Sequence, residues 1–196
     1  MPKDYLSKLP LKVTGRTNHR GRVYYDFSSK GDDTKQLIPE QIVLKRWRKL
    51  SNQAHVFHGC RLGPNVWQPL GNVDFEAPDW IQQVQRLNQV KAANSITVCS
   101  LAAMRSSMGA AKLSALNAFC QTMLSREKYG TPDLFLWVTD KRTGQNLFGT
   151  FAEVKKPKEP ISKDQKLMLW AMRKMSINAS LVRLLEVDII SLDSKV

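Results

Sequence analysis

Negative charge is scarce in this chain. Seventeen Asp and Glu stand against thirty Lys and Arg, a formal net charge of +13. That balance argues against basic partners and points to a polyanion, nucleic acid first and an anionic membrane surface second. Cysteine is scarce too. Cys60, Cys99 and Cys120 are odd in number, widely spaced and form no CxxC pair. A disulfide framework is excluded, and reduced thiols are expected. Long apolar runs are missing: none approaches the roughly 20 residues of a membrane span. The first residues, "MPKDYLSKLPLK", lack the apolar centre of a signal peptide. The expectation is a soluble protein with no membrane partner, in the cytoplasm of a bacterium or phage-infected cell and associated with the nucleoid. A phosphate-binding Gly-rich loop is absent as well, because "SMGAAKLSA" lacks its spacing.

What is present suffices for a folded domain. The chain has 196 residues and is 42% hydrophobic, enough to bury a core. Residues 11–27 read as a β-hairpin whose tip carries Arg16, His19, Arg20 and Arg22. The first 35 residues are expected to form this extension, and residues 36–196 the main domain. "PEQIVLKRWRKL", 39–50, opens a helix with Pro39 and Glu40 in its first turn. Ile42, Val43, Trp47 and Leu50 share one face, and Lys45, Arg46, Arg48 and Lys49 crowd the rest. A strand over 54–62 follows. Residues 63–128 then turn irregular and helical, with breaks at Gly109 and at "GTP", 130–132.

The next segment carries the chemistry. "PDLFLWV", 132–138, and "LFGTFAEVK", 147–155, read as paired strands, and Ser162 with Gln165 makes a capping box before a helix over 162–175. A last strand is expected over 179–187. A hairpin centred near Thr143 and Gly144 pairs residues whose numbers sum to about 286, and Asp133 and Glu153 meet that condition. Cross-strand neighbours lie about 4.5–5.5 Å apart at Cβ, so the two carboxylates repel unless a cation sits between them. An all-oxygen site suits Mg²⁺ or Mn²⁺. Strand alternation puts Lys155 on the face of Glu153, within reach of an attacking water or a scissile phosphate. His55, His58 and Cys60 suggest zinc by composition only, since on a strand His55 points away from the other two.

"PD", about twenty residues, then "EVK" resembles the PD-(D/E)XK nuclease superfamily. The longer pattern "GTPDLFLW…FAEVKKPKEPISKDQKLMLW" is similar to the VRR-NUC family. This resemblance covers residues 129–175. It implies an α/β restriction-endonuclease-like fold with an αβββαβ core and mixed sheet, to which 63–128 adds a helical insertion. It implies a Mg²⁺- or Mn²⁺-dependent DNA nuclease, often acting on branched or flapped DNA in repair. By position, Asp133 and Glu153 become metal ligands, Lys155 the catalytic lysine, and Gln165 the residue that organises the site. The family's further acidic residue, on a helix before the core, maps to Glu40, with Glu76 and Glu127 as competitors. Lys156 stands where family members usually have Gly. Lys156, Lys158 and Lys163 make the approach basic and join Lys45, Arg46, Arg48, Lys49, Arg16, Arg20 and Arg22 as candidate DNA contacts. Small stand-alone members of the family add a homodimer to the expectations.

Overall fold

Alternating and apolar runs of the sequence become two sheets. The computed structural model describes residues 12–17, 23–26, 37–63, 66, 72–88, 96–124 and 130–186. The expected hairpin forms: β1 (Lys12–Thr17) pairs antiparallel with β2 (Val23–Asp26), with Thr17 opposite Val23. Its tip, with Arg20 and Arg22, lies outside the described residues, as does Glu127. Helix α1 (Pro39–Arg48) follows. Pro39 fits there because a first-turn N–H has no intrahelical partner anyway. The Gln41 side chain accepts from the Ile38 N–H at 3.1 Å and closes the helix start.

The main sheet has the order β3 (His55–Arg61), β4 (Leu134–Asp140), β5 (Asn146–Lys155), β6 (Ala179–Arg183). The first three strands run as an antiparallel meander, and β6 returns parallel to β5 after a helix. Leu134 faces Ala152 and Phe135 faces Phe151, which is the register expected from the hairpin centre. Strand β4 starts two residues later than the apolar run does. Pro132 has no N–H to give a ladder, and Asp133 turns its carboxylate to the neighbouring strand instead. The last expected strand is split at Leu184, whose N–H reaches the Lys155 carbonyl at 2.9 Å. Strand β5 ends there, and β7 (Leu185–Glu186) pairs with β1 in the other sheet.

Side-chain alternation gives the main sheet two buried faces. One takes Phe57, Leu134, Leu136, Val138, Ala152 and Val154, and α1 covers it with Ile42, Val43 and Trp47. The other takes Cys60, Phe135, Trp137 and Phe151. Helices α2 (Trp80–Asn88), α3 (Ile96–Met108), α4 (Ala110–Leu124) and α5 (Lys163–Lys174) supply its cover. Leu101, Met104, Leu113 and Leu116 from the 63–128 segment are fully buried there. Each such side chain contributes about 1.5–3 kcal/mol of burial free energy, so this segment supplies most of the buried cluster on that face. Gly149 admits the close approach of α3, since a Cβ on it would lie 2.6 Å from the Ser107 hydroxyl. Among the described residues, no helix is long and apolar enough to cross a membrane.

Candidate active site

Strand β5 is buried along both faces from Gly149 to Lys155. An ionisable side chain there needs partners, because an isolated buried charge is strongly disfavoured. Glu153 and Lys155 are 1% and 5% exposed and sit on the face that α5 covers. Lys155 Nζ donates to Glu153 Oε1 at 3.0 Å and to Glu159 Oε1 at 3.4 Å. Asp133 continues the register to a place opposite Glu153, and its Oδ2 accepts from the Val154 N–H at 2.7 Å. The start of β4 and the end of β5 thus bring Asp133, Glu153 and Lys155 together at one end of the sheet.

Gln165 performs two tasks with one side chain. Its Oε1 accepts from the Ser162 N–H at 3.0 Å, closing the capping box that the Ser162 hydroxyl completes from the other side. Its Nε2 donates to Glu153 Oε1 at 2.5 Å. The cap therefore sets the angle at which the amide meets the carboxylate. Ser162→Ala removes only the cap, so it is expected to lower stability by about 1 kcal/mol and leave catalysis near wild type. Gln165→Ala removes both roles and is expected to add a rate loss of about tenfold. Thermal melts beside single-turnover rates separate the two, and equal rates for the two variants would assign Gln165 to capping alone.

The carboxylates of the site outnumber its one cation, Lys155. Burial, then the Asp133 charge, pushes the Glu153 carboxyl up to about 7. Burial raises Asp133 above the usual carboxylate range, its bond from Val154 partly offsets this, and the Glu40 charge raises it further. For Lys155, burial works against the ammonium, but the hydrogen bond and charge of Glu153, and then Glu159, hold its pKa above the ordinary value. Lys155 is thus a cation at neutral pH and donates to both Glu153 and Glu159. Glu153 Oε2 is buried without a hydrogen-bond partner. Two facing carboxylates and an orphaned carboxylate oxygen fit a hard divalent cation with oxygen ligands. Among the described residues no group of three His, Cys, Asp or Glu is close enough to hold a metal by itself.

The other candidates fall in different places. Glu40, half-buried in the first turn of α1, is close enough for its charge to act on Asp133. Glu76 is exposed in the segment before α2. His58, one of the residues that suggest zinc by composition, is turned away from α1. It lies on the sheet face opposite α1, stacked on Trp137 at 5.3 Å with Nε2 2.9 Å from the Thr139 hydroxyl. Residue parity along β3 decides this, because Phe57 is the neighbour that faces α1. Lys45, Arg48 and Lys49 line a cavity of about 410 Å³ on α1 with Gln41 and Leu44. Arg48 also donates to the Gly59 carbonyl at 2.7 Å, so part of its guanidinium fastens α1 to the edge of β3. Arg46 is half-buried, and burial lowers its pKa. Lys156, Lys158 and Lys163 are exposed beside the site.

Lys156, in the usual Gly position, is not in the left-handed region. That conformation falls on Lys158, with φ of 60°, inside a turn closed by Glu159 N–H to Lys156 O at 3.2 Å. The same turn presents a residue that the sequence reading missed. Glu159 Oε2 accepts from the Lys156 N–H at 3.0 Å while Oε1 reaches Lys155. Arg183 on β6 clamps the turn through the carbonyls of Lys156 and Glu159, at 3.2 and 2.7 Å. A Glu between Pro157 and Pro160 carries no periodic signal. Only the turn geometry folds it back onto the lysine.

An antiparallel meander, a helix and a returning parallel strand, with facing carboxylates and a Glu-Val-Lys strand, define the restriction-endonuclease-like PD-(D/E)XK class. A crystal structure of paFAN1 bound to DNA with a 2-nt 5′ flap and a gap has this fold, with a TM-score of 0.52 at 13% identity. The alignment covers 80% of this chain and 36% of that one, so the chain spans about a third of paFAN1's length. The complex with a 1-nt 5′ flap matches over the same shares with a TM-score of 0.49. No curated protein matches the sequence. The VRR-NUC domain model matches residues 77–184, and the chain belongs to the VRR-NUC family. The matched span takes in α2, α3 and α4 and begins after α1 and β3.

Proposed function

We propose that the protein is a metal-dependent nuclease that hydrolyses DNA phosphodiesters, with a preference for branched or flapped DNA. The observation that carries this is the cluster of half-buried Asp133 with buried Glu153 and Lys155, in which Asp133 extends the strand register to the place opposite Glu153 and one oxygen of Glu153 is unsatisfied. Mg²⁺ or Mn²⁺ held by Asp133 and Glu153, with Glu40 as a further acidic neighbour, would lower the pKa of the attacking water and offset charge on the phosphate. The chain's own residues do the rest. Gln165 and Lys155 fix the Glu153 carboxylate. The Lys155 ammonium is placed to donate to a phosphate oxygen as charge develops there. Glu159 holds that ammonium in place from the side of the turn. Lys156, Lys158 and Lys163 draw the backbone in, and the α1 cations with the hairpin arginines extend the contact. The preference for flapped DNA is supported by fold likeness to a nuclease captured on such DNA.

The titration of Glu153 gives the metal reading a pH signature. Its carboxyl titrates near 7 when folded, against about 4.5 when unfolded. The metal-free fold therefore loses stability as pH rises through that window. A cation that binds the carboxylate form stabilises most above it. The rise in melting temperature on adding Mg²⁺ is expected to be several degrees larger at pH 8 than at pH 5.5. An equal rise at both would dissociate the metal from Glu153.

The activity itself is tested with end-labelled linear, flapped and four-way-junction DNA, with Mg²⁺, Mn²⁺ or EDTA. The expected result is cutting with either metal, faster on the branched substrates, and none in EDTA. Tight binding without cutting under any condition would make the protein a DNA-binding module on a nuclease fold.

A further inference from the structure

Helix α5 has a second face that the site does not use. At 100° per residue, its buried side carries Met168, Leu169 and Met172, and Gln165 turns inward with them. Trp170 stands at the centre of the opposite arc and is 57% exposed, the most exposed large hydrophobic among the described residues. Lys163, Lys166, Arg173 and Lys174, all exposed, fall within about 60° of it. The Lys174 ammonium lies over the Trp170 ring at 5.7 Å. The helix's one acid, Asp164, is about 120° away from Trp170. The stripe thus runs about 16 Å along the helix, beginning within one turn of the residue that holds Glu153.

Four cations around an aromatic face suit a polyanion with exposed planar rings. In a duplex the bases are stacked and show only their edges, so an indole face has nothing to stack on. In an unpaired strand each base offers a face. A second copy of this chain is disfavoured, since the face would oppose its own cations. We propose that the exposed stripe Lys163–Lys166–Trp170–Arg173–Lys174 of α5 is a single-strand path, on which Trp170 stacks an unpaired base while the cations follow the phosphates. This rests on the nuclease reading and adds to it how an unpaired strand is guided to the cutting site.

The test is fluorescence anisotropy with a labelled oligothymidylate and a blunt duplex, in EDTA so that nothing is cut. Trp170→Ala is expected to weaken oligothymidylate binding by about tenfold and leave duplex binding unchanged. Trp170→Phe is expected to restore most of the loss. Lys166→Ala with Lys174→Ala is expected to flatten the slope of log affinity against log salt by about 1.4 for the single strand. Unchanged single-strand affinity in Trp170→Ala, or an equal loss on both DNAs, would overturn the proposal. So would a dimer that falls to monomer in sedimentation of Trp170→Ala, which would give the face to a second copy. Cutting assays keep the two readings apart. A wild type that cuts no DNA sinks the nuclease reading alone, and a cutting enzyme indifferent to Trp170 sinks this one alone.

Discussion

Lys155→Met is expected to cut DNA about a hundred- to a thousandfold more slowly than the wild type in saturating Mg²⁺. That is the loss typical of removing one preorganised donor to developing charge. Lys155 is almost wholly buried, and its ammonium is fixed between Glu153 and Glu159. It therefore needs no reorganisation when a phosphate oxygen gains charge. Methionine fills a similar volume and keeps the packing, so the rate loss reads the charge. Removing one member of a buried pair destabilises by about 3–5 kcal/mol when the other charge stays buried. Glu153 escapes much of this by taking up a proton, so the loss in melting temperature is expected to be smaller at pH 6 than at pH 8. Single-turnover rates and melts at both pH values measure these effects. A variant that cuts within tenfold of wild type would remove Lys155 from the chemistry.

Gly130→Ala is the second large effect, and it acts without touching the site. Gly130 has φ of +56° and packs on the start of α5, where a Cβ would lie 2.3 Å from the Asp164 carbonyl carbon and 2.4 Å from the Gln165 nitrogen. These are backbone atoms and cannot rotate aside. The strain of a left-handed alanine adds about 1 kcal/mol or more, and forced displacement about 1–3 kcal/mol. The least resisted movement carries α5 outward and withdraws Gln165 from Glu153. A loss of about 2–4 kcal/mol in stability and at least tenfold in rate is expected, from denaturant melts and cleavage kinetics. A variant as stable and active as wild type would show that α5 is not seated on Gly130 in solution. The glycine of the "GTPD" motif thus has a packing reason as well as a conformational one.

The hairpin between β4 and β5 was legible because one turn fixes a register, and a register fixes which carboxylates face each other. The Ser162–Gln165 box was legible because capping is local. Residues 63–128 read as an insertion in the sequence, yet their Leu101, Met104, Leu113 and Leu116 fill the core beneath Phe135 and Phe151. Helices that are apolar on most sides do not announce which surface they cover. Glu159 was illegible for the opposite reason: its approach to Lys155 depends on a non-repetitive turn that Arg183, 24 residues later, holds closed. The pairing of β7 with β1 joins the two ends of the described chain, and no local pattern encodes such a contact.

Under the proposed function, Asp133 and Glu153 hold a divalent cation for the cutting of DNA. Asp133→Asn tests it most directly. An asparagine carbonyl oxygen can still accept the Val154 N–H that Asp133 Oδ2 accepts now, so the fold survives while the charge is lost. The measurement is single-turnover cleavage of flapped DNA by both proteins in Mg²⁺, with calorimetric titration of Mn²⁺ into each. The expected result is cutting and Mn²⁺ uptake by the wild type, both abolished in Asp133→Asn at a metal-free melting temperature no lower than that of the wild type. Equal cutting by the two proteins, or cutting by the wild type that persists in EDTA, would contradict it.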